Sequence, residues 1–193
     1  MLKAHLVKPK LLALSGSLRS ASLNTALLRA AQELDHAFEW QYANIADVPL
    51  YNDDLDPEQS SVLRLKSQIK AADALLIATP EYNYSVPGVL KNAIDWASRP
   101  GYRSVFVGKP VAIMGASASS VGTARAQGHL RQVLASVLAQ VFAHPDFLVA
   151  QASERFHDGK LTHDQTRKQL ASYLAAFAHW ARHAAENSTA EEA

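Results

Sequence analysis

Cysteine is absent from all 193 residues of the chain. Disulfides, thiolate metal sites, iron–sulfur clusters and cysteine nucleophiles are therefore excluded. Any redox chemistry has to come from a bound organic cofactor or from a metal held by other ligands. The histidines are scattered, and only His179 and His183 stand four residues apart, with no third ligand nearby. Because a closed metal site needs more ligands than these, the sequence predicts no metal centre.

A surplus of charge of either sign is also missing. The chain has 19 Lys and Arg against 18 Asp and Glu, which gives a formal net charge of +1. A basic surplus is typical of nucleic-acid-binding proteins, so we expect no nucleic-acid partner. A strongly acidic surplus, which electron carriers use to dock on basic partners, is equally missing.

Long apolar runs are absent too. None approaches the ~18 residues that a membrane-spanning helix needs. The segment Met1–Lys10 carries three lysines and no apolar stretch of the kind found in a signal peptide. We therefore expect no membrane segment and a cytoplasmic location.

Short apolar runs alternate with segments of helical periodicity. Strands are predicted at 11–14, 38–42, 74–78, 110–115 and 147–150. Helices are predicted to follow each strand, and Asp56 and Thr162 are expected to cap two of them. Strict alternation predicts one doubly wound α/β domain, with helices on both faces of a five-stranded parallel sheet. We place this domain at residues 1–185 and expect the Ala- and Glu-rich residues 186–193 to fray.

Polar loops follow three of the predicted strands, at the sheet edge where ligands bind in such folds. The first, Ser15–Thr25, has one glycine and so lacks both the G-x-G-x-x-G and the G-x-x-x-x-G-K-[ST] patterns. It offers hydrogen-bond donors instead: Ser17, Arg19, Ser22, Asn24 and Thr25. A helix start with such donors favours a phosphate, which indicates a mononucleotide. The alternative is an ordinary helix N-cap beside a surface arginine.

The second loop is Pro80–Ser85, which contains Pro80, Glu81, Tyr82, Asn83 and Tyr84. A proline and two tyrosines there are suited to a flat aromatic ring, with backbone N–H groups at the polar edge of that ring. The alternative is a loop whose tyrosines only pack. We interpret Glu81 as an acceptor for N–H groups of its own loop, and the later polar residues Lys91, Asn92 and Asp95 as a solvated helix face.

The third loop, Gly115–Thr123, is rich in small residues that let the backbone approach a ligand closely. Together the loops resemble the NADPH-dependent FMN reductase family of flavodoxin-like proteins, which includes bacterial quinone and chromate reductases and some azoreductases. The resemblance spans residues 10–148. It is carried by Gly16-Ser17-Leu18-Arg19 with Ser22-x-Asn24, by Pro80-Glu81-Tyr82-Asn83-Tyr84-Ser85-Val86-Pro87-Gly88 with Leu90-Lys91-Asn92-Ala93-Ile94-Asp95-Trp96, and by Gly122-x-x-Arg125-Ala126-Gln127 with Leu130-Arg131-Gln132.

The resemblance implies a flavodoxin-like sheet with strand order 2-1-3-4-5, FMN as cofactor and NADPH or NADH as co-substrate. By family likeness, Ser17, Arg19, Ser22 and Asn24 hold the FMN phosphate, Pro80–Tyr84 lie against the ring, and Ser117 belongs to the third flavin loop. Hydride passes from nicotinamide to flavin N5 and on to quinones, azo compounds, chromate or free flavin by a ping-pong cycle. The family also implies a homodimer or homotetramer.

Three alternatives stay open at this point. One is a flavodoxin-like electron carrier without its own NAD(P)H site. Another is a serine hydrolase, although the sequence has no G-x-S-x-G elbow. The third is a regulatory protein that only keeps the fold. If the coenzyme is NADPH, then Arg19, Arg99 and Arg103 are the candidates for its 2′-phosphate.

Overall fold

The computed structural model describes residues 8–190, and a parallel sheet lies at its centre. Its strands are β1 (Lys10–Ser15), β2 (Glu39–Tyr42), β3 (Ala74–Ala78), β4 (Pro110–Ala116), β5 (Gln140–Val141) and β6 (Phe147–Val149). The order is β2-β1-β3-β4-β5, with β6 also paired to β4. Every pairing in this sheet is parallel. The predicted flavodoxin-like fold and strand order are therefore confirmed.

Helices cover both faces of the sheet. They are α1 (Leu23–Leu34), α2 (Ser60–Ala71), α3 (Gly88–Ala97), α4 (Ala124–Ser136) and α5 (Asp164–Ala190), and a small antiparallel pair, β7 (Phe156–His157) and β8 (Lys160–Leu161), precedes α5. Leu11 and Ala13 of β1 belong to one buried cluster with α1 and α5. Leu12 and Leu14 belong to a second cluster with α2, α3 and α4. Burial on both faces explains why β1 is a continuous apolar run.

The fifth strand differs from the prediction because it is split. β5 pairs with the start of β4, and β6 pairs with its end. The Phe142 N–H still donates to the Val111 carbonyl (2.8 Å), but residues 143–146 leave the ladder, and Pro145 among them has no N–H to donate. Arg131 of α4 binds both ends of the segment between β5 and β6. Its Nη1 donates to the Phe142 carbonyl (3.1 Å), and its Nη2 lies 2.6 Å from Asp146 Oδ1.

Two predicted helix caps are wrong. α2 begins at Ser60, four residues after Asp56, whose Oδ1 accepts from the Glu58 N–H (2.8 Å) in a local turn. α5 begins at Asp164, and His163 Nδ1 accepts from the Thr166 N–H (3.3 Å). The Thr162 hydroxyl donates to a preceding carbonyl instead. The side chains of Asp56 and Thr162 thus bond elsewhere, and neither caps the helix that follows it.

α5 packs along the sheet through Leu170, Tyr173, Leu174 and Phe177, which are all buried. Burial raises the pKa of the Tyr173 phenol well above its ordinary value, and its hydroxyl donates to the Ile113 carbonyl (2.8 Å). The helix continues to Ala190, into the segment predicted to fray. The division of the chain at residue 185 stays a prediction.

Within residues 8–190, no helix combines the length and the apolar character needed to cross a bilayer. The prediction about a signal peptide concerns Met1–Lys10, and most of these residues lie outside the described range.

Candidate functional site

Three loops meet in a cleft at the carboxyl ends of β1, β3 and β4. The cleft has a volume of about 140 Å³. Eight of the residues predicted from sequence line it: Ser17, Arg19, Ser22, Asn24, Pro80, Glu81, Tyr82 and Ser117. An adjoining depression of about 310 Å³ shares Glu81 and Ser117 and is lined further by Asn83, Tyr84 and Arg125. Thr25 lies on α1 behind Ser22, with its Oγ1 2.8 Å from Ser15 Oγ.

The start of α1 forms one end of the cleft. Ser22 is the N-cap, and its Oγ accepts from the Thr25 N–H (3.2 Å). This bond uses a lone pair of Ser22 and leaves its O–H available as a donor. The Arg19 side chain is exposed and makes no ion pair in the described part of the chain. The N-cap interpretation is thus correct for Ser22, and it is compatible with an anion site at the same helix end.

Asn24 joins two of the three loops. Its Nδ2 donates to the Ala116 carbonyl (3.0 Å), and its Oδ1 accepts from the Ala116 N–H (2.9 Å). The side chain is buried, so this pair of bonds is shielded from water. Asn24 therefore fixes the start of α1 against the end of β4.

The second loop is a two-residue hairpin. Tyr82 and Ser85 exchange backbone hydrogen bonds of 3.1 and 3.0 Å. Asn83 and Tyr84 between them both have positive φ, 48° and 67°. Two successive left-handed residues define a type I′ turn, in which glycine is preferred at the second position. The hairpin presents Tyr82 and Tyr84 as exposed side chains beside the cleft.

Glu81 connects this hairpin to α4. Its Oε2 accepts from the N–H groups of Arg125 (3.0 Å) and Ala126 (3.2 Å), and its Oε1 pairs with Arg125 Nη1 (2.9 Å). The prediction that Glu81 accepts N–H bonds within its own loop is therefore wrong, because its partners lie on α4. A carboxylate at a helix start also interacts favourably with the helix dipole.

Arg125 makes a second contact with the hairpin. Its guanidinium carbon lies 3.8 Å from the centre of the Tyr84 ring. A cation over an aromatic face is attracted by the ring quadrupole. Arg125 therefore contacts both Glu81 and the strained residue at the tip of the turn.

A buried polar layer lies beneath the loops, and we did not predict it. Thr123, the N-cap of α4, and Gln127 on α4 are fully buried, and Gln127 Nε2 donates to Thr123 Oγ1 and to the Phe147 carbonyl, both at 3.0 Å. Gly115 lies so close that a Cβ there would be 2.0 Å from Thr123 Oγ1 and 2.5 Å from the Thr79 carbonyl. The sequence signal that could have indicated this layer is the spacing of Thr123 and Gln127, two polar residues four apart on the side of α4 that faces the sheet.

Asn92 is not part of a solvated helix face, which corrects the prediction for this residue. Its Oδ1 accepts from the Tyr51 N–H (2.7 Å), and its Nδ2 donates to the Pro49 carbonyl (2.8 Å). Lys91 and Asp95 do form an exposed ion pair at 2.7 Å. Asn92 therefore fixes the loop that follows β2 against α3.

The three arginines considered for a coenzyme phosphate lie at different places. Arg19 lines the cleft. Arg99 follows the C-terminal end of α3, and Arg103 lies in a depression with Lys70 and Lys109 just before β4. Since α3 runs antiparallel to the strands, Arg99 and Arg103 lie toward the amino ends of the strands, whereas the cleft lies at their carboxyl ends. No group of three or more His, Asp or Glu side chains within residues 8–190 is arranged to hold a metal ion.

Comparison with known proteins gives one consistent result. The family model described as NADPH-dependent FMN reductase matches residues 9–154. An NAD(P)H-dependent FMN reductase of Pseudomonas aeruginosa is 48% identical and covers 90% of this chain and 95% of its own. A 2-hydroxy-1,4-benzoquinone reductase of a Burkholderia species is 43% identical, covering 90% and 96%.

A solved structure agrees with these relatives. It is FerB, a flavoenzyme NAD(P)H:acceptor oxidoreductase from Paracoccus denitrificans, with a TM-score of 0.83, 39% identity and coverage of 90% of this chain and 97% of that one. The predicted family, the FMN cofactor and the NAD(P)H-dependent oxidoreductase class are thereby confirmed. With this fold and these matches, the chain belongs to the NADPH-dependent FMN reductase family.

Proposed function

We propose that the cleft binds FMN, that NAD(P)H reduces it there, and that quinones are the acceptors. The observation that carries this proposal is the chemistry of the α1 end of the cleft. Ser17, Arg19 and Ser22 offer donors there, and the backbone N–H groups of Leu23 and Asn24 donate to no protein acceptor in residues 8–190. Such a set of donors at a helix start suits a phosphate group.

The carboxylate of Glu81 does not oppose an anion in the cleft. It lines the cleft, but both of its oxygens are engaged by α4 and Arg125. Its charge is therefore compensated before a ligand enters. The residues present thus fit the phosphate of FMN.

The hairpin and the third loop fit the ring of FMN. We assign Pro80, Glu81, Tyr82, Asn83 and Tyr84 to one side of it and Ser117 to the other. The tip of the hairpin turns its N–H groups away from other protein acceptors, since those of Asn83 and Tyr84 donate to none in the described residues. We assign Asn24 and Thr25 to stabilising the start of α1, where the phosphate would bind, because both side chains are hydrogen-bonded within the protein.

FMN held by these loops would supply the redox chemistry, namely hydride uptake from the nicotinamide and electron transfer to the acceptor. The side chains orient the two substrates in turn over the ring and supply no acid or base of their own. Quinones are proposed as acceptors because the Burkholderia relative is a benzoquinone reductase and a relative from Escherichia coli, 41% identical, is a quinone reductase. The exposed rings of Tyr82 and Tyr84 suit flat aromatic acceptors of this kind.

We further propose that the enzyme works in the cytoplasm, where nicotinamide coenzymes are held, and that it is a homodimer or homotetramer. The family likeness supports the oligomer. The open, solvent-facing hairpin supports it as well, because a second subunit would shield the site from water.

An absorbance spectrum of the purified protein tests the proposal. We expect the yellow spectrum of bound FMN and its loss when NADPH is added without oxygen. Return of the colour on addition of a benzoquinone completes the cycle. The electron-carrier alternative, which the relatives do not favour, predicts that NADPH leaves the bound flavin oxidised. A protein that takes up no added FMN contradicts the proposal altogether.

A further inference from the structure

The hairpin Tyr82–Ser85 holds an unfavourable backbone conformation. Tyr84 has a φ of 67°, a region where residues other than glycine, asparagine and aspartate cost about 1–2 kcal/mol. The side chains of Asn83 and Tyr84 are exposed, so core packing does not hold the turn. Besides the two backbone bonds between Tyr82 and Ser85, contacts from another element stabilise this geometry.

Those contacts come from one face of α4. Arg125 lies over the Tyr84 ring, as described above. One helical turn later, His129 Nδ1 lies 3.0 Å from Ser85 Oγ, at hydrogen-bond distance. Residues four apart share a helix face, so Arg125 and His129 reach the two sides of the same turn.

We propose that His129 is a positioning residue of the flavin site and that it acts through Ser85. Ser85 closes the hairpin, since its N–H donates to the Tyr82 carbonyl and its carbonyl accepts from the Tyr82 N–H. Fixing the Ser85 side chain therefore fixes both backbone bonds of the turn. His129 itself does not line the cleft or the adjoining depression. The consequence for FMN rests on the proposed function.

The variants are chosen because Ser85 contacts the Nδ1 atom of the His129 ring. Asparagine places its amide near the position of a histidine Nδ1, so His129→Asn is the conservative variant that should keep the bond. His129→Leu and Ser85→Ala each remove it. Gln132→Leu is the matched control, because Gln132 is exposed on the same helix and makes no side-chain hydrogen bond in the described residues.

Two measurements test the proposal. The first is hydrogen exchange of the Tyr82 and Ser85 amides in FMN-free protein. We expect His129→Leu and Ser85→Ala to speed this exchange roughly two- to tenfold, the range for loss of one hydrogen bond. The second is FMN affinity by fluorescence quenching, where Kd should rise roughly two- to tenfold. His129→Asn and Gln132→Leu should match the unmodified protein in both.

The double variant tests whether the two residues act as one unit. If they do, Ser85→Ala with His129→Leu weakens FMN binding no more than either single change. Additive effects, or an unchanged Kd in both single variants, overturn the proposal. If the unmodified protein binds no FMN, the proposed function fails, while the exchange rates still decide whether His129 holds the hairpin.

Discussion

Asn24 and Ala116, 92 residues apart in the chain, exchange two hydrogen bonds of 3.0 and 2.9 Å beneath the cleft. Asn24 lies in the first turn of α1, and Ala116 is the last residue of β4. A single amide side chain therefore links the first and third loops.

Asn24→Ala should destabilise the protein. It leaves the buried N–H and carbonyl of Ala116 without partners, which costs about 2–4 kcal/mol. For a chain of this length, that lowers the melting temperature by about 5–15 °C. Thermal unfolding followed by circular dichroism measures the effect. Gln132→Ala is the control, because Gln132 is exposed on α4, makes no side-chain hydrogen bond in the described residues and should change stability by less than about 0.5 kcal/mol. Equal melting temperatures for the two variants would show that the Asn24 bonds contribute little.

Gly115→Ala should be far more damaging than Gly128→Ala. A Cβ at Gly115 would overlap Thr123 Oγ1 and the Thr79 carbonyl, and the carbonyl belongs to backbone that cannot rotate away. We expect a loss of about 3 kcal/mol or more in the free energy of unfolding. At Gly128, within α4, a Cβ meets nothing within 4 Å. There alanine should stabilise the helix by about 0.5–1 kcal/mol. Urea unfolding of both variants measures the contrast, and a tolerated Gly115→Ala would mean that the polar layer beneath the loops can shift.

Arg19→Ala should weaken FMN binding without affecting folding. Arg19 is exposed and unpaired by carboxylates in the described residues, so its loss removes no ion pair of the fold. A hydrogen bond to a charged group contributes roughly 1.5–3 kcal/mol, which corresponds to a Kd about 10- to 150-fold higher. Arg103→Ala removes the same charge at the amino ends of the strands, away from the cleft, and should leave Kd unchanged. Titration calorimetry with FMN compares them. The same Kd in both variants would remove Arg19 from the phosphate site.

Asn83→Pro should change the flavin spectrum more than the stability. Proline fixes φ near −65°, which is incompatible with the φ of 48° at Asn83. The turn would be rebuilt, but it lies at the surface and buries little. Asn83→Gly keeps the conformation and serves as control. Visible absorbance of the FMN complex and thermal unfolding measure the two effects. If the melting temperature falls sharply while the spectrum stays normal, the hairpin supports the fold and does not contact the ring.

The sequence predicted those features that arise from local patterns. The apolar runs of β1, β3 and β4 and the periodicity of α1 specify a doubly wound sheet, because each pattern permits only one burial arrangement. The three loops were predicted to meet since the carboxyl ends of parallel strands share an edge. The structure brings these loops together in one cleft.

Features that depend on distant partners were not predictable in the same way. Glu81 accepts from residues 44 and 45 positions later, and Asn92 binds a loop more than 40 residues earlier. Asp56 looked like a helix cap but bonds within its own turn. For Glu81 and Asn92 a short-range rule gave one answer and the tertiary fold selected another partner, whereas for Asp56 a different local bond took the place of the cap.

The split strand has a consequence for how the protein behaves in concentrated solution. On the β4 side, the border of the sheet offers only the two residues of β5 and the three of β6, separated by a segment that Arg131 holds out of line. A foreign extended chain needs a longer unbroken row of N–H and carbonyl groups to pair with. This border is therefore a poor template for intermolecular strand addition, even though β4 behind it is buried along its whole length.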